Sequence, residues 1–116
     1  MTPPEIIKNP VSREQFLGHA KTTYGDMAKV VIDTTRDVMA IGGEMHADGE
    51  ALLLEDGSKQ EYLWGANVYV EPMANGERIV YSSLINIRPR QGNRDMEIQD
   101  PTIRTRVKEV IDVFIP

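Results

Sequence analysis

The sequence predicts an α+β fold: a four-stranded, mainly antiparallel sheet of two hairpins, packed by an N-terminal and a C-terminal helix, with room for a short helix between the hairpins. Capped helical patterns sit at the two ends of the chain. Between them, β-branched and alternating runs are punctuated by glycine and proline turns. With 116 residues, 41% of them apolar and 27% charged, the chain has enough apolar surface for one core and no room for a second, so residues 1–116 read as a single domain.

Residues 1–10 hold Pro3, Pro4 and Pro10 and read as an extended arm. Ser12 and Gln15 have the spacing of a capping box, which opens a helix to about Tyr24 with Phe16, Leu17, Ala20 and Tyr24 on one face and Gly25 as its stop. Lys29-Val30-Val31-Ile32 and Val38-Met39-Ala40-Ile41, joined through Thr34-Thr35-Arg36, form the first hairpin. In the next stretch the period is ambiguous. Asp48 can cap a short helix through Glu55 ended by Gly57, while Leu52-Leu53-Leu54 also suits a buried strand turning at Asp56-Gly57. Tyr62 to Val70 and Ile79 to Ile87 form the second hairpin across a turn between Pro72 and Gly76, with Ile79, Tyr81, Ile85 and Ile87 on its buried face. After a polar loop from Pro89 to Gln99, Asp100-Pro101 is a cap followed by a first-turn proline. The last helix then carries the stripe Ile103, Val107, Val110, Ile111 and Phe114.

Composition removes several classes of function. The chain has no cysteine, which excludes disulfides, thiolate metal sites and cysteine nucleophiles. The N-terminus lacks the basic start and apolar run of a signal peptide, and no apolar run approaches the roughly 20 residues that span a bilayer, so the cytoplasm is the default compartment and no membrane is expected. A net charge of −5 argues against nucleic acid as partner. The charge is split, however. Acids crowd Glu44 to Glu61, and Arg88, Arg90, Arg94, Arg104, Arg106 and Lys108 crowd the C-terminal third, as an internal match, a self-association surface or an anion site would each require.

Three groups of residues have the chemistry to form a site. Glu44, His46, Asp48 and Glu50 recur at every second position and would share one face of an extended segment; oxygen and imidazole ligands together suit a divalent metal, whose bound water would serve a hydrolase. The competing reading is a helix start with acidic capping residues and a partly solvated His46. Arg88, Arg90 and Arg94, with Asn93 among them, lead into the start of the last helix, where guanidinium forks suit a phosphate or carboxylate. Asn67 and Asn86 fall inside predicted strands, where asparagine is disfavoured; buried, their amides need partners, and exposed, they would form a recognition surface. Trp64 beside them reads as core. Gly57-Ser58 is similar to the turn of nucleotidyltransferases, but no paired acids follow it, and neither a dinucleotide nor a P-loop motif is present.

The stretches Gly42-Gly43-Glu44-Met45-His46-Ala47-Asp48, Leu53-Leu54-Glu55-Asp56-Gly57-Ser58, Leu63-Trp64-Gly65-Ala66-Asn67, Leu84-Ile85-Asn86-Ile87-Arg88-Pro89 and Gln91-Gly92-Asn93-Arg94 resemble a family of small prokaryotic proteins known only as a domain of unknown function. That resemblance covers most of the chain and implies no activity. With two histidines, no cysteine and no serine in evident reach of a base, the residues favour a non-catalytic binding or interaction module without cofactor, its partner a small anion or a protein. The alternative is the metal-dependent hydrolase built on Glu44, His46, Asp48 and Glu50.

Overall fold

The run Val30-Val31-Ile32 is apolar at consecutive positions, a pattern that a strand needs when both of its faces are covered. The structure, a computed structural model describing residues 3–116, shows that arrangement. Five strands, β1 (Glu5–Ile7), β2 (Met27–Asp33), β3 (Val38–Ile41), β4 (Leu63–Tyr69) and β5 (Ile79–Val80), form one sheet in the order β1-β3-β2-β4-β5, with every pairing antiparallel. Helices α1 (Arg13–Lys21) and α3 (Pro101–Phe114) cover one face, and α2 (His46–Glu55) covers the other.

Alternation assigns each side chain to its layer. Ala28, Val30 and Ile32 of β2, Met39 and Ile41 of β3, and Trp64, Ala66 and Val68 of β4 pack with Phe16, Ala20, Val107, Val110, Ile111 and Phe114 in the larger core. Val31, Val38, Ala40 and Leu63 point the other way onto Leu53 of α2. This second core is small because α2 lies close to the sheet. A Cβ at Gly49 would stand 3.1 Å from Ala40 Cβ and 3.2 Å from Val31 Cγ2, so the glycine, costly by about 1 kcal/mol in a helix interior, sets the distance of approach.

The sheet has five strands where the sequence predicts four. Glu5-Ile6-Ile7, inside the expected extended arm, pairs with β3 as an edge strand, and the flanking prolines are compatible with an edge because only one side needs hydrogen bonds. Met1 and Thr2, the start of that arm, lie outside the described residues. The strand predicted from Ile79 to Ile87 is also corrected. β5 stops at Val80; Tyr81 to Ser83 pairs instead with Met96 to Ile98, through Ile98 N–H to the Tyr81 carbonyl (3.0 Å) and Ser83 N–H to the Met96 carbonyl (3.0 Å). Leu84–Asn86 is then a 3₁₀ turn, which leaves Ile87 exposed. Helix α1 is shorter than predicted, ending at Lys21, with Tyr24 exposed beyond it.

The ambiguous middle segment is a helix. It begins at His46, two residues before the predicted cap, and the Asp48 carboxylate accepts from Met45 N–H (3.3 Å) in the first turn. Gly57 ends it as predicted: Ser58 N–H bonds the Leu53 carbonyl and Gly57 N–H the Leu54 carbonyl, the paired bonds of a Schellman terminus. Ser58 then donates to Asp33 (2.7 Å), which also accepts from Thr35 N–H and Oγ1 (2.8 Å each), while Arg36 bridges Ser58 and Asp56. Burial alone would raise the Asp33 carboxyl; the hydrogen bonds from Ser58 and Thr35 hold it below its ordinary value. The first hairpin is thereby fixed to the end of α2. Among the described residues, no helix is long and apolar enough to cross a membrane.

Asp100 is the cap that the sequence predicts, its Oδ1 accepting from Thr102 N–H at 2.8 Å ahead of Pro101. Asp100→Ala is expected to cost about 1 kcal/mol in urea denaturation without a change in slope. An unchanged midpoint would contradict a contribution of this cap to stability.

Candidate functional site

Beyond β5, the outer edge of β4 is completed by side chains. Asn86, fully buried, accepts from Gly65 N–H (2.8 Å) and donates to the Gly65 carbonyl (2.9 Å) and the Met96 carbonyl (3.0 Å), so that one amide makes the bonds a neighbouring strand residue would make. Gly65 permits that approach: a Cβ there would stand 2.6 Å from Ser83 Cβ and 3.0 Å from His46 Cδ2. Asn93, also buried, gathers the loop by donating to the carbonyls of Asn86, Asp95 and Glu97 (2.8–2.9 Å) and accepting from Gln99 N–H (2.8 Å). Arg88 lies over the Trp64 ring, 3.9 Å from its centroid, and donates to the carbonyls of Gln60 and Leu63.

The arginine loop therefore has two kinds of residue. Arg88 and Asn93 are engaged within the fold, whereas Arg90 and Arg94 are exposed and form no ion pair among the described residues. Nor does any salt bridge there join the acids of 44–61 to the cations of 88–108; Asp56 pairs with Lys8 and Arg36, and Lys108 with Asp112. The nearest approach between the two clusters is electrostatic. Burial raises the Glu50 carboxyl and depresses the Arg88 guanidinium, and each charge partly offsets the other's shift.

The four residues of the metal reading are not gathered. In a helix, His46 and Glu50 lie one turn apart, with Asp48 on the far side and Glu44 before the first turn. Among the described residues no group of three or more histidines and carboxylates could hold a metal ion. His46, expected to be partly solvated, is only 6% exposed. Its Nε2 lies 2.8 Å from the Ala66 carbonyl, which can only accept, so that nitrogen carries the proton.

What the fold does bring together is a cleft of about 220 Å³ between the start of α2, the outer half of the sheet and the turn after β5. Lys29, His46, Asn67, Ser82 and Ser83 supply its polar wall, and Met45, Leu84, Ile85 and Met96 its apolar one. Lys29 and Asn67 are direct partners in the β2–β4 register and face the same side. The ammonium lies 5.2 Å from the centre of the Tyr24 ring, and no carboxylate among the described residues is within ion-pair distance. Burial lowers its pKa. Asn67 Oδ1 is buried without a hydrogen-bond partner beside it. Ser83 and His46 both border Gly65, yet no hydrogen bond joins them, and Ser83 Oγ accepts from Ile85 N–H (3.2 Å). A cavity of about 240 Å³ between β5 and α3 differs in kind, because its cations Arg78 and Lys108 are both paired, with Asp112.

Sequence reasoning singled out His46, Asn67 and Asn86 but not Lys29, Ser82 or Ser83. The available signal was Lys29 itself, a cation sharing the β2 face of buried Val31 and Asp33.

Burial holds the His46 pKa down at about 4 from an ordinary 6.5, against the pull of the Ala66 hydrogen bond, and Lys29 adds to the depression. Between those values the unfolded chain binds a proton that the folded chain refuses. The contribution of this group is therefore complete above pH 6.5 and is lost as pH falls toward 4. It should amount to roughly 3 kcal/mol. Urea denaturation of the protein and of His46→Gln at pH 7 and pH 4.5 should give a smaller stability loss on acidification in the variant; equal losses would contradict a buried neutral imidazole.

A search of the curated proteins and of the solved structures finds no significant match to the chain. The family model described as "Protein of unknown function (DUF5674)" matches residues 5–114, nearly the whole chain, in line with the resemblance seen in the sequence, and the protein belongs to that family.

Proposed function

We propose that the chain is a non-catalytic binding module, that the cleft over Lys29 is its ligand site, and that the ligand is a small anion. The observation that carries this reading is a partly desolvated ammonium, unpaired among the described residues, in a cleft whose lining holds no carboxylate. A partly desolvated cation without a carboxylate is less favourable than a fully solvated one, and an anion offsets that cost. The non-catalytic part is supported by the state of the neighbouring groups. His46 has one ring nitrogen committed to a backbone carbonyl and makes no hydrogen bond to Ser83, so no nucleophile and base are in contact.

A second reading keeps the anion but moves it to the arginine loop, supported by Arg90 and Arg94 being exposed and unpaired among the described residues. The two separate cleanly. Thermal unfolding is followed with added acetate or inorganic phosphate, in the protein, in Lys29→Met and in the double variant Arg90→Ala with Arg94→Ala. At a hundredfold excess over the dissociation constant, the anion should stabilise by about 2.7 kcal/mol, several degrees in a domain of this size. The cleft reading expects that shift to vanish in Lys29→Met and to survive in the double arginine variant. The reverse pattern would move the site to the loop, and no shift in any protein would overturn both.

A further inference from the structure

The polar wall of the cleft accounts for only half of its lining. Met45 at 56% exposure, Leu84 at 66% and Met96 at 40% are large apolar side chains left open to solvent, and all three line this one cleft together with Ile85. They come from three separate segments: the residue before α2, the 3₁₀ turn after β5 and the loop before α3. Their convergence is therefore a product of the fold and not of local sequence. Two of the three are methionines, whose unbranched thioethers adjust to apolar groups of varied shape.

Resting on the reading of the cleft as an anion site, we infer that its ligand is a small monocarboxylate with an apolar chain, the carboxylate on Lys29 and the chain along Met45, Leu84 and Met96. The charge argues for one negative charge. Lys29 is the cleft's only cationic side chain apart from an imidazole that is neutral at pH 7, and no arginine lines it. A phosphate dianion would be left half compensated, whereas a carboxylate is matched by one ammonium. The volume sets the size. At about 220 Å³ the cleft is below the roughly 300–1,000 Å³ of sites for drug-sized ligands, and it suits an acid of a few carbons. An inorganic anion would leave the apolar lining in water.

The test is a chain-length series, acetate, butyrate and hexanoate, with hexanamide and inorganic phosphate as controls, titrated calorimetrically into the full chain. Each methylene that leaves water should tighten binding by up to about fourfold until the cleft is filled, so hexanoate should bind at least tenfold tighter than acetate. Hexanamide, which lacks the charge, should bind at least tenfold more weakly than hexanoate. Leu84→Ser and Met45→Ser, both at exposed positions where folding is not at risk, should each lower hexanoate affinity severalfold and leave acetate unchanged. Equal affinity for acetate and hexanoate, or phosphate binding as tightly as hexanoate through Lys29, would overturn the inference and leave the anion site standing. Failure of every anion to bind would overturn the anion site as well.

Discussion

Everything on the open side of the sheet depends on the Asn86 amide that bonds Gly65. β4 is seven residues long and its outer neighbour β5 only two, so the first half of the outer edge of β4, at Leu63 and Gly65, would otherwise present free backbone groups to a protein interior. One carboxamide satisfies both backbone groups of Gly65, and the Arg88 guanidinium takes the Leu63 carbonyl two residues earlier. A strand would do the same with its backbone. The use of side chains frees the backbone of 84–95 to turn away and form a wall.

That wall and α2 enclose the cleft, and Gly65 lies at the junction. Without a side chain there, Ser83 and His46 both pack into the space a Cβ of Gly65 would fill, and the imidazole reaches the Ala66 carbonyl. His46 is thus a packing element whose neutrality is imposed by burial, and it keeps a second positive charge away from Lys29. In the cleft, the Lys29 ammonium and Asn67 Oδ1 are then left with unmet bonding capacity, both projecting from the most extensively paired strands of the sheet. Their placement on rigid strands, with the adaptable apolar groups on loops, is the arrangement in which a fixed polar contact orients a ligand and softer walls accommodate its body.

Much of the fold was legible because the helices carry their own start and stop signals. Ser12 and Gln15, Asp100-Pro101 and Gly57 act within one turn of chain, and each does in the structure what its type and spacing imply. β1 was hidden by Pro3, Pro4 and Pro10, since edge pairing on one side tolerates the prolines that argue against a strand. The Ile79 to Ile87 run misled because alternation of apolar residues is local, whereas the departure of the chain after Ser83 is decided by long-range bonds to Gly65 and Met96. Of the site, His46, Asn67 and Asn86 stood out as polar residues in apolar company. Their grouping did not. The every-second spacing of Glu44, His46, Asp48 and Glu50 has meaning only in an extended chain, and the helix disperses it. Lys29, Met45, Leu84 and Met96 are distant in sequence, and only the register of β2 with β4 and the turn after β5 bring them to one place.

The central claim, that a side-chain amide stands in for a strand at Gly65, is tested most directly by hydrogen exchange at single residues in Asn86→Ala. Gly65 N–H points to the outer edge, while its neighbours Trp64 and Ala66 bond toward β2. The account predicts that the substitution costs about 2–5 kcal/mol, the penalty for leaving two buried backbone groups unmatched, and that Gly65 N–H loses far more protection than Trp64 or Ala66. Protection at Gly65 that falls only in step with its neighbours, with a stability loss under about 1 kcal/mol, would contradict it.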